Sequence, residues 1–358
     1  MPSPFIDALS RRVLVFDGAM GTSLHKVELD LQRDYCGCEN CVDLLAKTRP
    51  DVVGAIHESF LAVGADAVET DSFGGARHVL AEFDLQDRCF ELNQAAAEVA
   101  RAACDKHSTK DKPRFAVGSM GPGTKLITLN QIDWDKMFES YREQARGLLA
   151  GGVDALIIET CQDLLQTKCA INGALAAIEE RGKTPLDVPV MVSVTIETTG
   201  TMLLGTEIAA AATALAGYPI LSLGLNCATG PVEMSEHVGW LGKNWGQGGQ
   251  PLRGGASLPR YVSCLPNAGL PILHEGRTEY PLQPGPFVEA MQRFIEQDGV
   301  RLVGGCCGTT PEHIRRMAAA LRAERAMARG GRSEVGGGSA APAAGGDSAR
   351  EGERRTGA

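Results

Sequence analysis

No run of about 18 uninterrupted apolar residues, the length that a membrane-spanning helix needs, occurs in this 358-residue chain. The best candidate, 209–228, is broken by Gly217 and Pro219. A secretory leader is missing too, since Met1-Pro-Ser-Pro-Phe-Ile-Asp-Ala has neither a basic start nor a long apolar stretch. Basic blocks and stripes are likewise absent, and the formal net charge of -9 argues against a nucleic-acid surface. No Gly-x-Gly-x-x-Gly follows an early strand, which removes the main signature of a dinucleotide-binding sheet. What remains is an ordinary soluble composition, 44% hydrophobic and 22% charged. Cysteine is plentiful at 11 residues, an odd number. Without a leader, a cytoplasmic, reducing location is expected, with thiols free, metal-bound or catalytic rather than paired in a disulfide framework.

The length suits one large domain or two small ones. From about residue 13 to 328, short β-rich runs alternate with longer helical ones. The strand candidates are Val13–Phe16, Ala67–Thr70, Phe115–Gly118, Ala155–Glu159, Val190–Thr195, Ile220–Asn226, Tyr261–Cys264 and Arg301–Val303. Helical periodicity marks Asp43–Ala62, Cys89–Cys104, Asp135–Leu149, Leu164–Glu180, Pro286–Glu296 and Pro311–Ala328. Eight such alternations predict an α/β protein with a parallel sheet, closed as a (β/α)8 TIM barrel; an open doubly wound sheet is the competing architecture.

A barrel carries its active site at the C-terminal ends of its strands. Those ends read Asp17, Thr70-Asp71, Met120-Gly-Pro-Gly, Glu159, Glu197, Asn226-Cys227, Asn267 and Cys306-Cys307, whereas the strand bodies are Val, Ile, Leu and Ala. The domain is expected to span 1–328, followed by a disordered Gly/Ala-rich tail over 329–358. Residues 243–260 form a Gly-rich insertion before the seventh strand, expected as a mobile loop near the mouth.

The thiols carry the chemistry. Val300-Arg-Leu-Val-Gly-Gly-Cys-Cys307 reads as a strand, and Thr310-Pro311 as a helix start with a capping hydroxyl. Cys227 ends a second strand-like run, Ile220-Leu-Ser-Leu-Gly-Leu-Asn-Cys. Three thiolates at converging strand ends suit a zinc ion with one position left open. A thiol entering that position loses its proton, and the anion is the nucleophile, so alkyl transfer to sulfur is the chemistry this set suits. The bland alternatives are a buried core cysteine at Cys227 and a vicinal disulfide or inert packing at Cys306 and Cys307.

Taken with seven motifs spread along the chain, this pattern resembles the homocysteine S-methyltransferase family, and within it the homocysteine-binding module of cobalamin-dependent methionine synthase. The motifs begin with Phe16-Asp-Gly-Ala-Met-Gly-Thr22, Glu69-Thr-Asp-Ser-Phe-Gly74 and Gly118-Ser-Met-Gly-Pro-Gly-Thr-Lys-Leu126. They continue with Ile158-Glu-Thr160, Gly224-Leu-Asn-Cys-Ala228, Pro266-Asn-Ala-Gly-Leu-Pro-Ile272 and Tyr280-Pro-Leu282, covering roughly 12–325. The resemblance implies the eight-stranded barrel, zinc on Cys227, Cys306 and Cys307, and Asp17 and Glu159 on the homocysteine ammonium. It also implies Asn267 as a weak fourth ligand before substrate arrives.

Three features depart from the family pattern: Asp71 stands where asparagine is expected, 243–260 is inserted, and Cys36-Gly-Cys-Glu-Asn-Cys41 follows the first strand. That cluster reads as a second metal site, a redox switch, or a surface loop with adventitious cysteines. The cobalamin-binding signature Asp-x-His-x-x-Gly is not met, because Asp105-Lys-His107 has Lys110 where glycine is needed. The chain therefore reads as the homocysteine module alone, part of a split methionine synthase receiving methyl from methylcobalamin or methyltetrahydrofolate through a partner. Direct use of S-methylmethionine, S-adenosylmethionine or a betaine is the alternative, and a non-catalytic zinc- or thiol-binding barrel is the second alternative.

Overall fold

Eight strands form one parallel sheet: β1 (Leu14–Val15), β2 (Ala67–Glu69), β3 (Phe115–Met120), β4 (Ala155–Cys161), β5 (Val190–Val194), β6 (Ser222–Asn226), β7 (Tyr261–Leu265) and β8 (Val300–Val303). This computed structural model describes residues 2–333 apart from 247, 253–254 and 275–276. Ladders join β2 through β8 in chain order, and β8 then pairs with β1, with Leu14 opposite Leu302. Between β1 and β2 the seam is carried by one residue. The Asp66 N–H donates to the Val15 carbonyl at 2.6 Å, and Asp66 Oδ2 accepts the Val15 N–H at 3.1 Å. The result is a TIM barrel, and the open sheet is excluded.

The strands are nearly continuous apolar runs because both faces are covered. β3, β4, β5 and β6 are buried at every position. Helices pack outside them, and their starts follow local chemistry. The Asp133 and Asp163 side chains cap 134–150 and 164–180 by accepting the Lys136 and Gln166 N–H groups. Helix Leu164–Glu180 has the expected limits. The expected helix Asp43–Ala62 is broken instead, into Val42–Leu44, Leu45–Thr48 and Pro50–Val63. Pro50 disfavours the helical region for the residue before it, and Arg49 has φ -137°. Helices Pro4–Arg11, Ile208–Leu215 and Pro231–Asn244, and the short helices Met20–Leu24 and Arg77–Leu80, were not expected.

The N-terminal end of the barrel is plugged. Helix Pro4–Arg11 sends Phe5, Ile6 and Leu9 into a buried cluster with Leu14, Phe115 and Leu302. The Phe5 ring meets Phe115 edge-on at 5.2 Å and Phe16 at 6.4 Å. Leu258, fully buried, joins the same cluster. It comes from an antiparallel hairpin, Gly249–Pro251 with Ser257–Pro259. This corrects the expectation for 243–260. The segment opens with the end of helix 231–244, forms a hairpin, and lies at the floor of the barrel rather than its mouth. The reason is topological, since a connection that leads into a strand reaches it at its N-terminal end.

Contacts group residues 1–320 into the barrel unit, with a second unit beginning at Leu321. The last helix runs Pro311–Ser333, beyond the expected limit of 328, and the rest of the expected tail, 334–358, lies outside the described residues. Among the described residues no helix is long and apolar enough to cross a membrane.

Candidate active site

Three of the expected ligands meet at the opposite, C-terminal end. Among the described residues, Cys227, Cys306 and Cys307 are the group whose ligand atoms all lie within 4.8 Å of one another, with Cys227 Sγ 4.0 Å from Cys307 Sγ. Tetrahedral zinc with Zn–S near 2.3 Å needs sulfurs about 3.8 Å apart, so the trio fits such an ion with little adjustment. Cys227 and Ala228 follow β6 in the left-handed region, with φ of +58° and +54°. For residues with side chains such backbone costs about 1–3 kcal/mol each and persists only where the surroundings impose it. Here the Cys227 N–H reaches the Leu265 carbonyl of β7, and the Cys306 N–H donates to the Pro266 carbonyl at 2.8 Å.

The thiols share charge unequally. Cys307 is pulled down to about 3 by hydrogen bonds from Cys227 and then Cys306, with a smaller contribution from Tyr280. Cys306 is pushed well above the usual thiol range by its sulfur neighbours and by burial. A divalent cation suits this set of three sulfurs.

Beside the sulfurs lies a cavity of about 250 Å³, lined by Asp17, Glu69, Asp71 and Glu159 among others, with no Lys, Arg or His in its wall. Asp17 accepts the Glu69 N–H at 3.3 and 3.2 Å through its two oxygens. Glu159 accepts from Ser119 Oγ at 2.5 Å and from Asn226 Nδ2 at 3.1 Å. Burial raises Glu159 to about 7 and lifts Asp17 well above its usual range. Glu69 is raised as well, by burial and then by the charges of Glu159 and Asp17, and its Oε1 is buried without a partner. Carboxylates crowded in this way, with no cation in the wall, form a site for a cationic group supplied from outside.

Asn267 has a different place. Its Oδ1 accepts the Cys307 N–H at 3.0 Å, and it does not line the cavity. Glu197, also expected on the rim, belongs to a turn closed by its N–H on the Thr201 carbonyl. Asp71 does line the cavity; burial and then the Asp43 charge raise it, and its Oδ2 has no hydrogen-bond partner. At the start of the last helix the His313 ring turns back on Thr310, meeting both its N–H and its hydroxyl through Nδ1. His313 Nδ1 accepts the Thr310 N–H at 3.2 Å, so the Thr310 hydroxyl is satisfied by the ring rather than by a helix amide. Cys38 and Cys41 join an apolar cluster with Leu44, Leu80 and Cys89, while Cys36 is exposed. Among the described residues these three do not form a group that could hold a metal.

Two site residues were given no role by the sequence reading. Glu69 ends β2, and Asn226, read there as a strand end, precedes Cys227. Asn226 ties two strand ends together, since its Oδ1 accepts the Thr160 N–H at 2.8 Å and holds Thr160 at φ +54°. The Asn-Cys and Glu-Thr-Asp runs were visible as motifs, but roles for Asn226 and Glu69 were not.

Comparison with known proteins agrees with this geometry. The methionine synthases of Mycobacterium leprae and Mycobacterium tuberculosis are each 48% identical to this chain over 316 residues. The match covers 88% of this chain, which spans about a quarter (25%) of their length. The metallated form of the Escherichia coli homocysteine methyltransferase MmuM shares the fold, with a TM-score of 0.64 at 20% identity, over 88% of this chain and 98% of that one. The model of the homocysteine S-methyltransferase family matches residues 14–321. By that match and by the identity to the mycobacterial proteins, the chain belongs to the homocysteine S-methyltransferase family.

Proposed function

We propose that this barrel transfers a methyl group to the sulfur of homocysteine, giving methionine. The observation that carries the reading is the joining of three sulfurs within 4.8 Å to a cavity walled by buried carboxylates that have no cationic side chain among them. Cys227, Cys306 and Cys307 would hold zinc, which when bound supplies the charge that makes an incoming thiol ionise at neutral pH.

The chain's own residues do the rest. Asp17 and Glu159 receive the homocysteine ammonium, which relieves their mutual repulsion and fixes the sulfur at the thiol end of the cavity. Ser119 and Asn226 hold the Glu159 carboxylate at 2.5 and 3.1 Å, so it is oriented before substrate arrives. Asn267, through the Cys307 N–H, fixes the loop that carries two of the thiols.

For the donor, we propose methylcobalamin carried by a partner, with methyltetrahydrofolate as its source. Every large apolar side chain exposed among the described residues lies between a strand's C-terminal end and the first turn of the next long helix, Phe73, Leu129, Leu203, Val232 and Leu273 being examples. An apolar collar on that one end favours a macromolecular donor over a small free one. The test is methionine formation by zinc-loaded protein, with methylcobalamin and S-methylmethionine offered in parallel. Activity with methylcobalamin supports the carried donor. Turnover with S-methylmethionine alone overturns the donor and keeps the site. Zinc-loaded protein inactive with every donor favours a thiol-binding role.

A further inference from the structure

We infer that Cys38 and Cys41 are a modification site, a dithiol that closes reversibly to a disulfide by exchange with a low-molecular-weight disulfide. The inference stands apart from the methyl-transfer reading and uses none of the thiols at the barrel mouth. It gives a role to the Cys36-Gly-Cys-Glu-Asn-Cys41 cluster, which among the described residues does not gather as a metal site.

The backbone brings the two residues together. Residues 35–41 form two turns in series that share Cys38. The Cys38 N–H donates to the Tyr35 carbonyl at 2.9 Å, with Cys36 and Gly37 between them at φ +52° and +82°. The Cys41 N–H then donates to the Cys38 carbonyl at 3.1 Å, with Asn40 at φ +68° in the third place of that turn. A four-residue turn closed in this way holds its end Cα atoms less than about 7 Å apart. A disulfide takes Cα atoms about 4.4–6.8 Å apart, so side-chain rotation within the existing turn is enough to link the pair.

The side chains agree with the backbone. Buried Cys41 and half-buried Cys38 pack on one apolar cluster with Leu44, Leu80 and Phe83. Cys36 is exposed and outside that cluster. Cys89 belongs to the cluster but is already engaged, its Sγ donating to the Gly75 carbonyl at 3.2 Å. The turns are also pinned at their base. Buried Asp34 accepts the Asp30 N–H at 2.9 Å and meets Arg33 and Arg49, while its carbonyl accepts from Thr48 Oγ1 at 2.6 Å. Thiols held close in a pinned loop lose little further chain entropy when they join.

The exchange has a defined order. Burial, and then the Asp43 charge, pushes the Cys41 thiol up to about 12, so half-buried Cys38 reacts first. Its thiolate attacks one sulfur of the incoming disulfide, forming a mixed disulfide and releasing a small thiolate. The Cys41 sulfur then attacks Cys38 and releases the second small thiolate, in the slower step. Each released thiolate takes up a proton given up by a protein thiol. Two protein thiols and one small disulfide thus become one protein disulfide and two small thiols, and an excess of small thiol reverses the exchange.

The test equilibrates the full chain, with zinc present, in mixtures of reduced and oxidised glutathione and then blocks the free thiols. Trypsin releases residues 34–47, a peptide that holds Cys36, Cys38 and Cys41 and no other cysteine. At the oxidising end mass spectrometry should find Cys38 linked to Cys41, with the blocking group on Cys36 alone. Dithiothreitol should restore all three blocked thiols. Cys36→Ser should still form the link, and Cys38→Ser should lose it. Cys38 and Cys41 both blocked at every ratio in the unaltered chain would overturn the inference, and so would a link through Cys36 or Cys89.

Discussion

The two ends of the barrel bury the same kind of group and treat it in opposite ways. At the floor, Asp66 is 3% exposed and faces two arginines, with Arg12 Nη1 at 2.5 Å from Oδ2, Arg114 Nη1 at 3.9 Å from Oδ1 and the Val15 N–H on Oδ2. At the mouth, buried Asp17 and Glu159 lie beside a half-buried Glu69, and the donors on Asp17 and Glu159 are backbone, hydroxyl and amide groups. The floor is also sealed by Phe5, Leu9 and Leu258, whereas the mouth exposes apolar side chains around an open cavity. A buried acid with an arginine belongs to the structure; a buried acid without one is waiting for its counter-charge. The proposed chemistry lies at the unbalanced end.

The sharpest way to break this contrast is at the thiols. Cys227→Ser should lose bound zinc and methionine formation together, the activity falling by more than the roughly 100-fold expected for an outer-shell partner. Metal analysis alongside the assay checks it, and full activity without zinc would sink the mechanism.

The floor should fail differently. Arg12→Met leaves Asp66 buried with one distant guanidinium, and should cost about 3 kcal/mol of stability in urea unfolding. Its homocysteine KM should remain unchanged, because Asp66 does not line the cavity. A shift in KM as large as the loss of stability would mean that the two ends are not separable.

Next in size is Asp17→Asn. The zinc content should stay intact and kcat nearly so, while homocysteine KM rises about 10-fold, the range of one charged hydrogen bond. An equal loss in kcat would move Asp17 from substrate anchoring to catalysis.

The smallest effect concerns pH. Burial raises Asp43, on the connection leaving β1, to about 7, because its charged form is poorly solvated. An acid whose folded pKa is raised stabilises the fold fully below the ordinary carboxylate range, and that contribution is lost as pH rises through about 7. The substrate-free protein should therefore melt at higher temperature near pH ~5 than near pH ~8, and Asp43→Asn should reduce the difference without abolishing it, since the raised Asp17, Glu69, Asp71 and Glu159 act in the same sense. An unchanged slope in Asp43→Asn would assign the pH dependence to other groups.

Much of the barrel was legible because buried parallel strands are written as largely apolar runs, with polar or thiol residues at or just after several of their ends. Cys306-Cys307 and Cys227 were legible as a set because the Gly-Gly-Cys-Cys and Asn-Cys motifs around them resemble those of the family. The floor was not. Helix 4–11 reads as a short segment beside Pro2 and Pro4, and its role depends on Leu258 and Leu302, hundreds of residues away. The placement of 243–260 failed for a related reason, since its glycines mark turns but not which end of the barrel they serve. The role of Asn226 escaped because a hydrogen bond across the rim leaves no spacing in the chain.

The pairing of the first strand with the last also bears on how the molecule is made. β1 must wait for β8, and at about 5–20 residues per second that partner leaves the ribosome on the order of tens of seconds later. Until then the Leu14–Val15 edge and the Phe5 face stay uncovered, an opening for premature association that a nascent chain has to survive. Cys306 and Cys307 follow directly on β8, so the thiol trio cannot assemble before the barrel closes. If the trio holds zinc as proposed, metal capture would mark completion of the fold, and a stalled or shortened chain would be told from a finished one by its failure to take up the ion.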